Sequence, residues 1–213
     1  MLLHIIVCAV LAAGAFGNFT ANTMMDNILR DMTIQIGNTG LDPTVVSPFN
    51  FKVKATGVTN RDFKANFTQG SLYGLGQLRR QGNCNYGIAA GELRMGCYVT
   101  LGSLRALMNA DVKGDQISGK LHSISTSSNV SPQSFLLIEL AGSRGYPARL
   151  IPMIMRTVTI STAVTQGKVD LGTSRHNEFV RQINDNLARQ VASILTGKYS
   201  SVFHSVASRY RMP

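Results

Sequence analysis

The amino-acid sequence predicts an α+β fold in which two helices flank an antiparallel β-sheet. Three observations carry this prediction. Apolar residues recur at helical spacing near both ends of the chain, they alternate with polar residues through the middle, and the strand-like runs follow one another with no helical segment between them. The 213 residues show no composition shift and no fixed-period repeat that would divide the chain. We therefore predict a single domain over residues 18–213.

The first residues of the chain predict a secretory signal peptide. Residues 5–13 are apolar or small without interruption, and Ala15 and Gly17 place small side chains at the −3 and −1 positions of a cut after Gly17. The run is too short for a stable anchor, because a membrane-spanning helix needs about 20 apolar residues. We predict a signal peptide over residues 1–17, a secreted, extracellular protein and no transmembrane anchor.

The cysteines support an extracellular location. Cys8 lies in the predicted signal peptide, so the remaining chain keeps Cys84 and Cys97 as an even pair. In an oxidising compartment such a pair predicts a disulfide, and the spacing fits a bridge across the strands of a hairpin. A two-cysteine metal site would need nearby histidines. The histidines of the remaining chain are scattered, at His122, His176 and His204.

Three Asn-X-Ser/Thr sequons, at Asn18, Asn66 and Asn129, fit a secreted surface. Asn66 alternates with apolar Ala65 and Phe67 on a predicted strand, so its side chain is expected to face water. We predict glycosylation at Asn66 and Asn129, with Asn66 the better placed of the two.

The first predicted helix of the domain follows the signal peptide. Its apolar residues recur at helical spacing, and glycine and proline from Gly37 to Pro43 end the pattern. Methionine packs adaptably in cores and in ligand sites alike, so this stripe is either plain core or the lining of a pocket. The stripe consists of Met25, Ile28, Leu29, Met32 and Ile36.

The middle of the chain predicts successive strands. Apolar and polar residues alternate from Phe49 to Ala55 and from Phe63 to Phe67. Further runs of strand character are separated by clusters of Gly, Asn, Ser and Pro. They span residues 86–102, 117–125, 135–140 and 157–164.

The C-terminal part predicts a long amphipathic helix over residues 178–195. One face carries an apolar stripe of Phe179, Ile183, Leu187, Val191, Ile194 and Leu195, and charged residues lie off it. At about 1.5 Å per residue such a helix is about 27 Å long. Two alternatives stay open beyond it: Gly197 ends the helix, or a second section continues through Val202, Phe203, Val206 and Tyr210.

The order of these elements and two short motifs resemble a known family. The motifs are the run from Gly74 through Gly76 and Arg80 to Cys84 and the preceding Leu41, Asp42, Pro43 and Val45. Together they resemble arthropod secreted proteins similar to the group 7 mite allergens. Those proteins belong to the tubular lipid-binding (TULIP) superfamily, with the bactericidal/permeability-increasing protein and the juvenile-hormone-binding proteins. The resemblance implies one module, a strongly curved sheet wrapped around the C-terminal helix, and an apolar groove between them.

The residues give the implied groove a physical basis. A gap lined only by apolar side chains can hold an apolar guest, and each buried methylene contributes about 0.8 kcal/mol to binding. We therefore expect a hydrophobic small molecule or lipid to bind between helix and sheet, with no cofactor. The expected lining residues are Ile183, Leu187, Val191 and Leu195 from the helix, facing Phe135, Leu137, Val158 and Ile160 from strands.

No constellation in the sequence calls for catalysis. The chain has no glycine-flanked nucleophilic serine, no histidine pair at metal-binding helical spacing, and neither a phosphate-binding nor a dinucleotide-binding glycine motif. We therefore expect a binding protein and no enzyme.

The charge suggests an alternative function. Lys and Arg number 21 against 11 Asp and Glu, which gives a formal net charge of +10. The basic residues are dispersed, without the compact stripe and interleaved aromatics that nucleic-acid binding requires. The alternative is a basic interaction protein of innate defence or host contact, without an internal ligand, which contacts microbial or cell-surface polyanions such as anionic lipid, glycolipid or glycan. Equally, the charge fits a solvated surface that keeps the protein soluble.

Overall fold

Helices lie at the two ends of the chain and strands lie between them. The computed structural model describes residues 2–57, 61–115 and 119–213, with side chains from Phe19 onward. Helix α1 spans Leu2–Thr39, α2 spans Thr173–Ile194 and α3 spans Ser200–Ala207. The strands between the helices pair antiparallel throughout. The predicted α+β fold is confirmed.

The strands form two sheets. The large sheet contains β1 (Thr44–Val46), β2 (Phe49–Val53), β3 (Phe63–Phe67), β4 (Gly70–Tyr73), β7 (Arg105–Lys113), β8 (His122–Val130) and β12 (Ile160–Gln166). The small sheet contains β5 (Arg79–Ala89), β6 (Glu92–Thr100), β9 (Phe135–Gly142), β10 (Arg149–Leu150) and β11 (Ile154–Met155). In the large sheet β7 pairs with β3 and β4 along one side and with β8 along the other, and β12 follows β8.

Two pairs of consecutive strands connect the two sheets, and the chain bends sharply where they pass from one sheet to the other. Strands β6 and β7 follow each other closely, as do β8 and β9, and each pair continues from one sheet into the other. At the corner the Leu101 amide donates to the Ser134 carbonyl at 2.9 Å, and the Val130 amide donates to the Leu104 carbonyl at 3.0 Å. Gly102 leaves room for this approach, since a Cβ there would lie 2.8 Å from the Pro132 Cα. The strands therefore curve, as the resemblance implied.

Helix α1 buries the predicted methionine-rich stripe against β5 and α3. All of Met25, Ile28, Leu29, Met32 and Ile36 are buried. The helix continues back to Leu2 through the predicted signal peptide. Cleavage after Gly17 stays a prediction. Among the described residues, no helix combines the length and the apolarity that crossing a bilayer requires.

The C-terminal helix is longer than the sequence predicted. It begins at Thr173 instead of Glu178, and Leu195–Tyr199 form a π-helical turn that leads directly into α3. Of the two alternatives left open, the continuation is the one observed, because Gly197 lies inside this turn and does not end the helix. Phe203 and Val206 extend the buried face.

Several predicted strands have other boundaries. The run over 86–102 is divided between β5 and β6 by a two-residue turn, in which Ala90 and Gly91 have φ values of 53° and 78°. The run over 117–125 corresponds to β8, which begins at His122 and extends to Val130; Ile117 itself lies outside the described residues. Strands β1, β4, β7, β10 and β11 were not predicted.

The two motifs that carry the family resemblance meet in the structure. The Asp42 carboxylate accepts hydrogen bonds from the backbone amides of Gly74, at 3.0 Å, and Gly76, at 2.9 Å. Gly74 has a φ of 95°, and a Cβ there would lie 2.1 Å from the Ser103 carbonyl oxygen. The corner between β4 and β5 therefore requires glycine at this position.

Cys84 and Cys97 form a disulfide with an S–S distance of 2.05 Å. Both cysteines are buried, and the bond joins the paired strands β5 and β6. The predicted bridge across a hairpin is confirmed.

Candidate functional site

Helix α2 lies over the two edges of the curved large sheet. It packs against β2 on one side and β12 on the other. The strands and the helix together therefore enclose the space in which the resemblance places a ligand.

Polar side chains fasten α2 to both edges. On the β12 side the Thr162 hydroxyl donates to Asn184 Oδ1 at 2.7 Å and lies 2.6 Å from the Ser128 hydroxyl. On the β1–β2 side the Ser47 amide donates to Gln190 Oε1 at 2.7 Å, and Gln190 Nε2 donates to the Ser47 carbonyl at 3.0 Å. These bonds leave the apolar face of α2 turned toward the interior.

The four helical residues predicted to line a groove all lie on that interior face. Ile183, Leu187, Val191 and Leu195 are each 2% exposed or less. A ligand that reaches them must therefore displace neighbouring side chains. Their role in binding stays a prediction.

Aromatic rings fill the interior at the N-terminal end of α2. The Phe179 ring lies 5.4 Å from the ring of Phe63, 5.9 Å from Phe51 and 6.5 Å from Phe67, measured between centroids. Phe49 stacks on Phe67 at 4.7 Å. The alternation that predicted β2 and β3 already placed these rings on one face, although it did not show that they meet α2.

Methionines contribute much of the remaining interior. They come from α1, from both sheets and from the C-terminal segment, and all belong to one buried cluster. An unbranched thioether can repack around a guest more easily than a branched or aromatic side chain. The buried methionines are Met24, Met25, Met32, Met95, Met108, Met153 and Met212.

Tyr199 places a polar atom in this apolar interior. Its side chain is fully buried, its ring lies 6.3 Å from that of Phe203, and its hydroxyl has no hydrogen-bond partner among the described residues. Burial raises the pKa of the phenol well above its usual value, so the hydroxyl keeps its proton. Tyr199 ends the π-helical turn, a local structure that often marks functional sites. The sequence offered no signal for this arrangement beyond an apolar stripe.

The strand residues predicted to face the helix divide into two groups. Ile160 is buried at the start of β12, and Val158 packs against the core just before it. Phe135 and Leu137 instead alternate with buried Leu136, Ile138 and Leu140, so they lie half-exposed on the outer face of β9. The prediction that these two residues face the helix was wrong. They share the outer face with Glu139, and β9 belongs to the small sheet, whereas α2 packs against β2 and β12 of the large sheet.

The predicted glycosylation sites lie on the outer face of the large sheet. Asn66 on β3 and Asn129 on β8 are both exposed, as an attached glycan requires. Whether glycans are attached stays a prediction. Within the described parts of the chain, no group of three His, Cys, Asp or Glu side chains is placed to hold a metal ion.

Comparison with known proteins shows a likeness in structure and none in sequence. No protein-family model matches the chain, and no curated protein matches its sequence. A crystal structure described as lipopolysaccharide binding protein matches 89% of this chain, with a TM-score of 0.50 and 11% sequence identity. This chain spans 40% of the length of that protein.

At this identity the likeness concerns the fold alone. It supports the curved antiparallel sheet with a long C-terminal helix that the motif resemblance implied. It does not extend to the group 7 mite allergens, which stay a resemblance of short motifs.

Proposed function

We propose that this protein is a secreted, non-enzymatic binder of a lipid or another long apolar molecule, which it holds between α2 and the large sheet. The observation that carries the proposal is the interior itself, which is apolar and closed by one helix over the edges of a single layer of strands. The likeness in fold to a lipopolysaccharide binding protein supports it. The disulfide supports an oxidising, extracellular setting.

Binding is driven by transfer of an apolar chain out of water. Each methylene contributes about 0.8 kcal/mol, so ten of them offset a large cost of opening the interior. Met108, on the buried face of β7 in the large sheet, lowers that cost, because its thioether can adopt other rotamers. No bond is made or broken.

The Tyr199 hydroxyl adds a requirement on the ligand. A buried hydroxyl without a partner costs about 1–3 kcal/mol. A carbonyl, ester or hydroxyl oxygen on the ligand recovers that energy by accepting a hydrogen bond from the Tyr199 hydroxyl. A ligand that extends past the end of α2 to Tyr199 is therefore a long apolar chain that carries a hydrogen-bond acceptor.

Native mass spectrometry of protein secreted by a eukaryotic host tests the proposal. We expect bound mass in addition to the polypeptide, and lipid in an organic extract of the same sample. A ligand-free protein that also fails to bind fluorescent fatty acids would contradict it.

Substitutions in the interior test the location of the ligand. Leu187→Arg should abolish binding, but a buried arginine also threatens folding. Tyr199→Phe keeps the shape and removes only the hydroxyl. We expect it to retain or raise stability and to weaken fatty-acid binding about fivefold, the equivalent of about 1 kcal/mol. The matched control is Tyr210→Phe. The Tyr210 hydroxyl donates to Asp31 at 2.7 Å, so its removal should lower the stability of the protein without changing ligand binding.

The alternative function, contact with polyanions, is favoured by one arrangement on the large sheet. Lys52 pairs directly with Lys64, and Lys64 with Lys113, so three exposed lysines form a row across β2, β3 and β7. Asp62 lies 3.2 Å from Lys52 and offsets part of the charge of the row. Like charges in direct register are unfavourable, and an anion placed over the row would relieve the remaining repulsion. Salt distinguishes the two functions: binding in the apolar interior survives high salt, whereas binding to a lysine row is lost as the Debye length falls.

A further inference from the structure

Three segments of the chain meet at one end of the small sheet. Ile88, near the turn between β5 and β6, pairs with Leu93, and Leu93 pairs with Gly142 at the end of β9. The loop of residues 143–147 follows directly, so it lies at the same end as the turn. The third segment is the C-terminal tail.

Hydrogen bonds fix the tail to both of the other segments. The Met212 amide donates to the Tyr146 carbonyl at 2.8 Å, and the Gly145 amide donates to the Met212 carbonyl at 2.8 Å. The Tyr86 hydroxyl on β5 donates to the Pro213 carbonyl at 2.6 Å. The β5–β6 hairpin, the loop of residues 143–147 and the C-terminal tail therefore hold fixed positions relative to one another.

Large apolar side chains stand exposed on this surface. Ile88 is 77% exposed and Tyr146 is 66% exposed. Phe19, 70% exposed, lies at the same end, because α1 runs opposite to β5 and Asn22, one turn after Phe19, bonds the Cys84 amide at 2.8 Å. We call Phe19, Ile88 and Tyr146 the apolar tip. Among the described residues none covers these three side chains. Ile88 lies on a paired strand and Tyr146 on a loop that is hydrogen-bonded to the C-terminal tail, so both backbones are held in place.

Arginines surround the apolar tip. Arg94 and Arg144 are exposed, and Arg211 donates to the Gly145 carbonyl at 2.8 Å. Arg149 pairs with Glu92 at 3.0 Å, so the nearest acidic side chain of the described residues is already engaged. Glu139 lies further in along β9, on the outer face. This end of the small sheet therefore combines exposed apolar side chains with exposed arginines on the same segments.

We propose that the apolar tip docks on the surface of a lipid bilayer that contains anionic lipids. Isoleucine and phenylalanine side chains enter the acyl boundary, tyrosine lies at the level of the headgroups, and the surrounding arginines contact lipid phosphates. Charge argues for this partner over a second copy of the chain, since a symmetric dimer through this end would place the arginines of one copy against those of the other.

The proposal goes beyond ligand binding in the interior and does not depend on it. A bilayer-docked protein can deliver or extract a lipid, but docking requires only the outer surface. The two proposals therefore fail separately: loss of docking leaves interior binding intact, and loss of the interior ligand leaves docking intact.

Co-sedimentation with vesicles tests the docking surface. The probe is phosphatidylcholine vesicles with and without a quarter of phosphatidylglycerol. We expect binding to the anionic vesicles to fall about tenfold or more in the double variant Ile88→Ser/Tyr146→Ser, because both side chains lose their apolar burial. In Arg94→Gln/Arg144→Gln we expect a loss of about fivefold per arginine.

Matched variants at the far face control for general loss of charge or apolar surface. Leu121→Ser removes a side chain that is 64% exposed, and Lys54→Gln/Lys168→Gln removes two exposed charges outside the lysine row. All three residues lie next to strand ends of the large sheet, away from the apolar tip. These should bind the vesicles as the unmodified chain does. Intact mass establishes whether residues 1–17 are present, and all variants are compared in that same form.

Three outcomes would overturn the proposal. The first is that the Ile88/Tyr146 variant binds vesicles as well as the unmodified chain, or that the lysine variant loses binding instead. The second is a dimer in sedimentation velocity that becomes monomeric in the Ile88/Tyr146 variant while vesicle binding is unchanged. The third is binding to a soluble sulfated polysaccharide that depends on the arginines alone and competes completely with the vesicles.

Discussion

At the scale of single residues, Asp42 and Gly74 determine how the N-terminal helix joins the sheets. The Asp42 carboxylate accepts hydrogen bonds from the amides of Gly74 and Gly76. The Thr33 hydroxyl on α1 donates to the Gly76 carbonyl at 2.7 Å. Charge-assisted bonds of this kind are stronger than neutral ones. The corner therefore connects α1, β1 and β5 through a few specific atoms.

Gly74→Ala should lower the free energy of unfolding by about 3 kcal/mol or more. Its φ of 95° disfavours any side chain, and the new Cβ would lie 2.1 Å from a backbone oxygen. Urea unfolding followed by circular dichroism measures the effect. The matched control is Gly87→Ala, since an added Cβ at Gly87 meets nothing within 4 Å. Equal stability of the two variants would show that the corner can relax.

At the scale of elements, α2 carries its charges on the face away from the core, with the exception of Arg175. That side chain is buried in the first turn and donates to the Arg61 carbonyl at 2.7 Å. Arg181 donates to Glu178 at 2.7 Å and to Asp185 at 2.6 Å. Hydrogen bonds from Arg181 and then from Gln182 lower the pKa of Glu178 to about 2. These groups are largely exposed, so their contribution to stability is modest and falls with added salt.

The depressed pKa of Glu178 has a defined pH dependence. Because the carboxyl has a lower pKa in the folded protein than its ordinary 4.5, its contribution to stability is present above pH 4.5 and is lost as the pH falls toward about 2. NMR titration of the Glu178 carboxyl should give a midpoint near 2. Arg181→Gln should raise that midpoint toward 4.5, whereas Arg189→Gln, on the same helix, should leave it unchanged. A midpoint near 4.5 in the unmodified chain would contradict the ion pair.

At the scale of the whole molecule, one apolar cluster unites the helices and both sheets. Residues of α1, α2, α3, β3, β6, β8 and β9 all belong to it. The strands also run from one sheet into the other around the corner at Leu101 and Ser134. A chain with one shared core is expected to unfold as one cooperative unit.

Removing the disulfide tests this cooperativity. Cys84→Ala/Cys97→Ala should lower the stability of the whole molecule by about 3 kcal/mol, because the unfolded chain regains the entropy of its loop. Hydrogen exchange should then accelerate about a hundredfold in β7 and β8 as well as in β5 and β6. The reduced form of the unmodified chain, which keeps both side chains, is the control. Faster exchange confined to β5 and β6 would show that the two sheets unfold separately.

The candidate site was predictable from the sequence to different extents on the helix and on the strands. The residues Ile183, Leu187 and Val191 occupy the interior face of α2 as predicted, because a helix with one apolar stripe has one way to bury it. In β9 both strand faces carry apolar residues, and only Glu139 marks the face of Leu137 as the outer one. The prediction placed Leu137 inside, whereas the structure buries Leu136, Ile138 and Leu140.

The sequence by itself determined the fold class, the disulfide and which helix faces are buried, because periodicity and pairing of residue types are local properties of a chain. Only the tertiary structure decided that α2 rests on β2 and β12, that Asp42 meets Gly74, and that the Tyr199 hydroxyl lacks a partner. It also brought Ile88 and Tyr146 to one end. These relations join residues far apart in the chain, so they depend on how the sheet curves and on where its edges meet the helix.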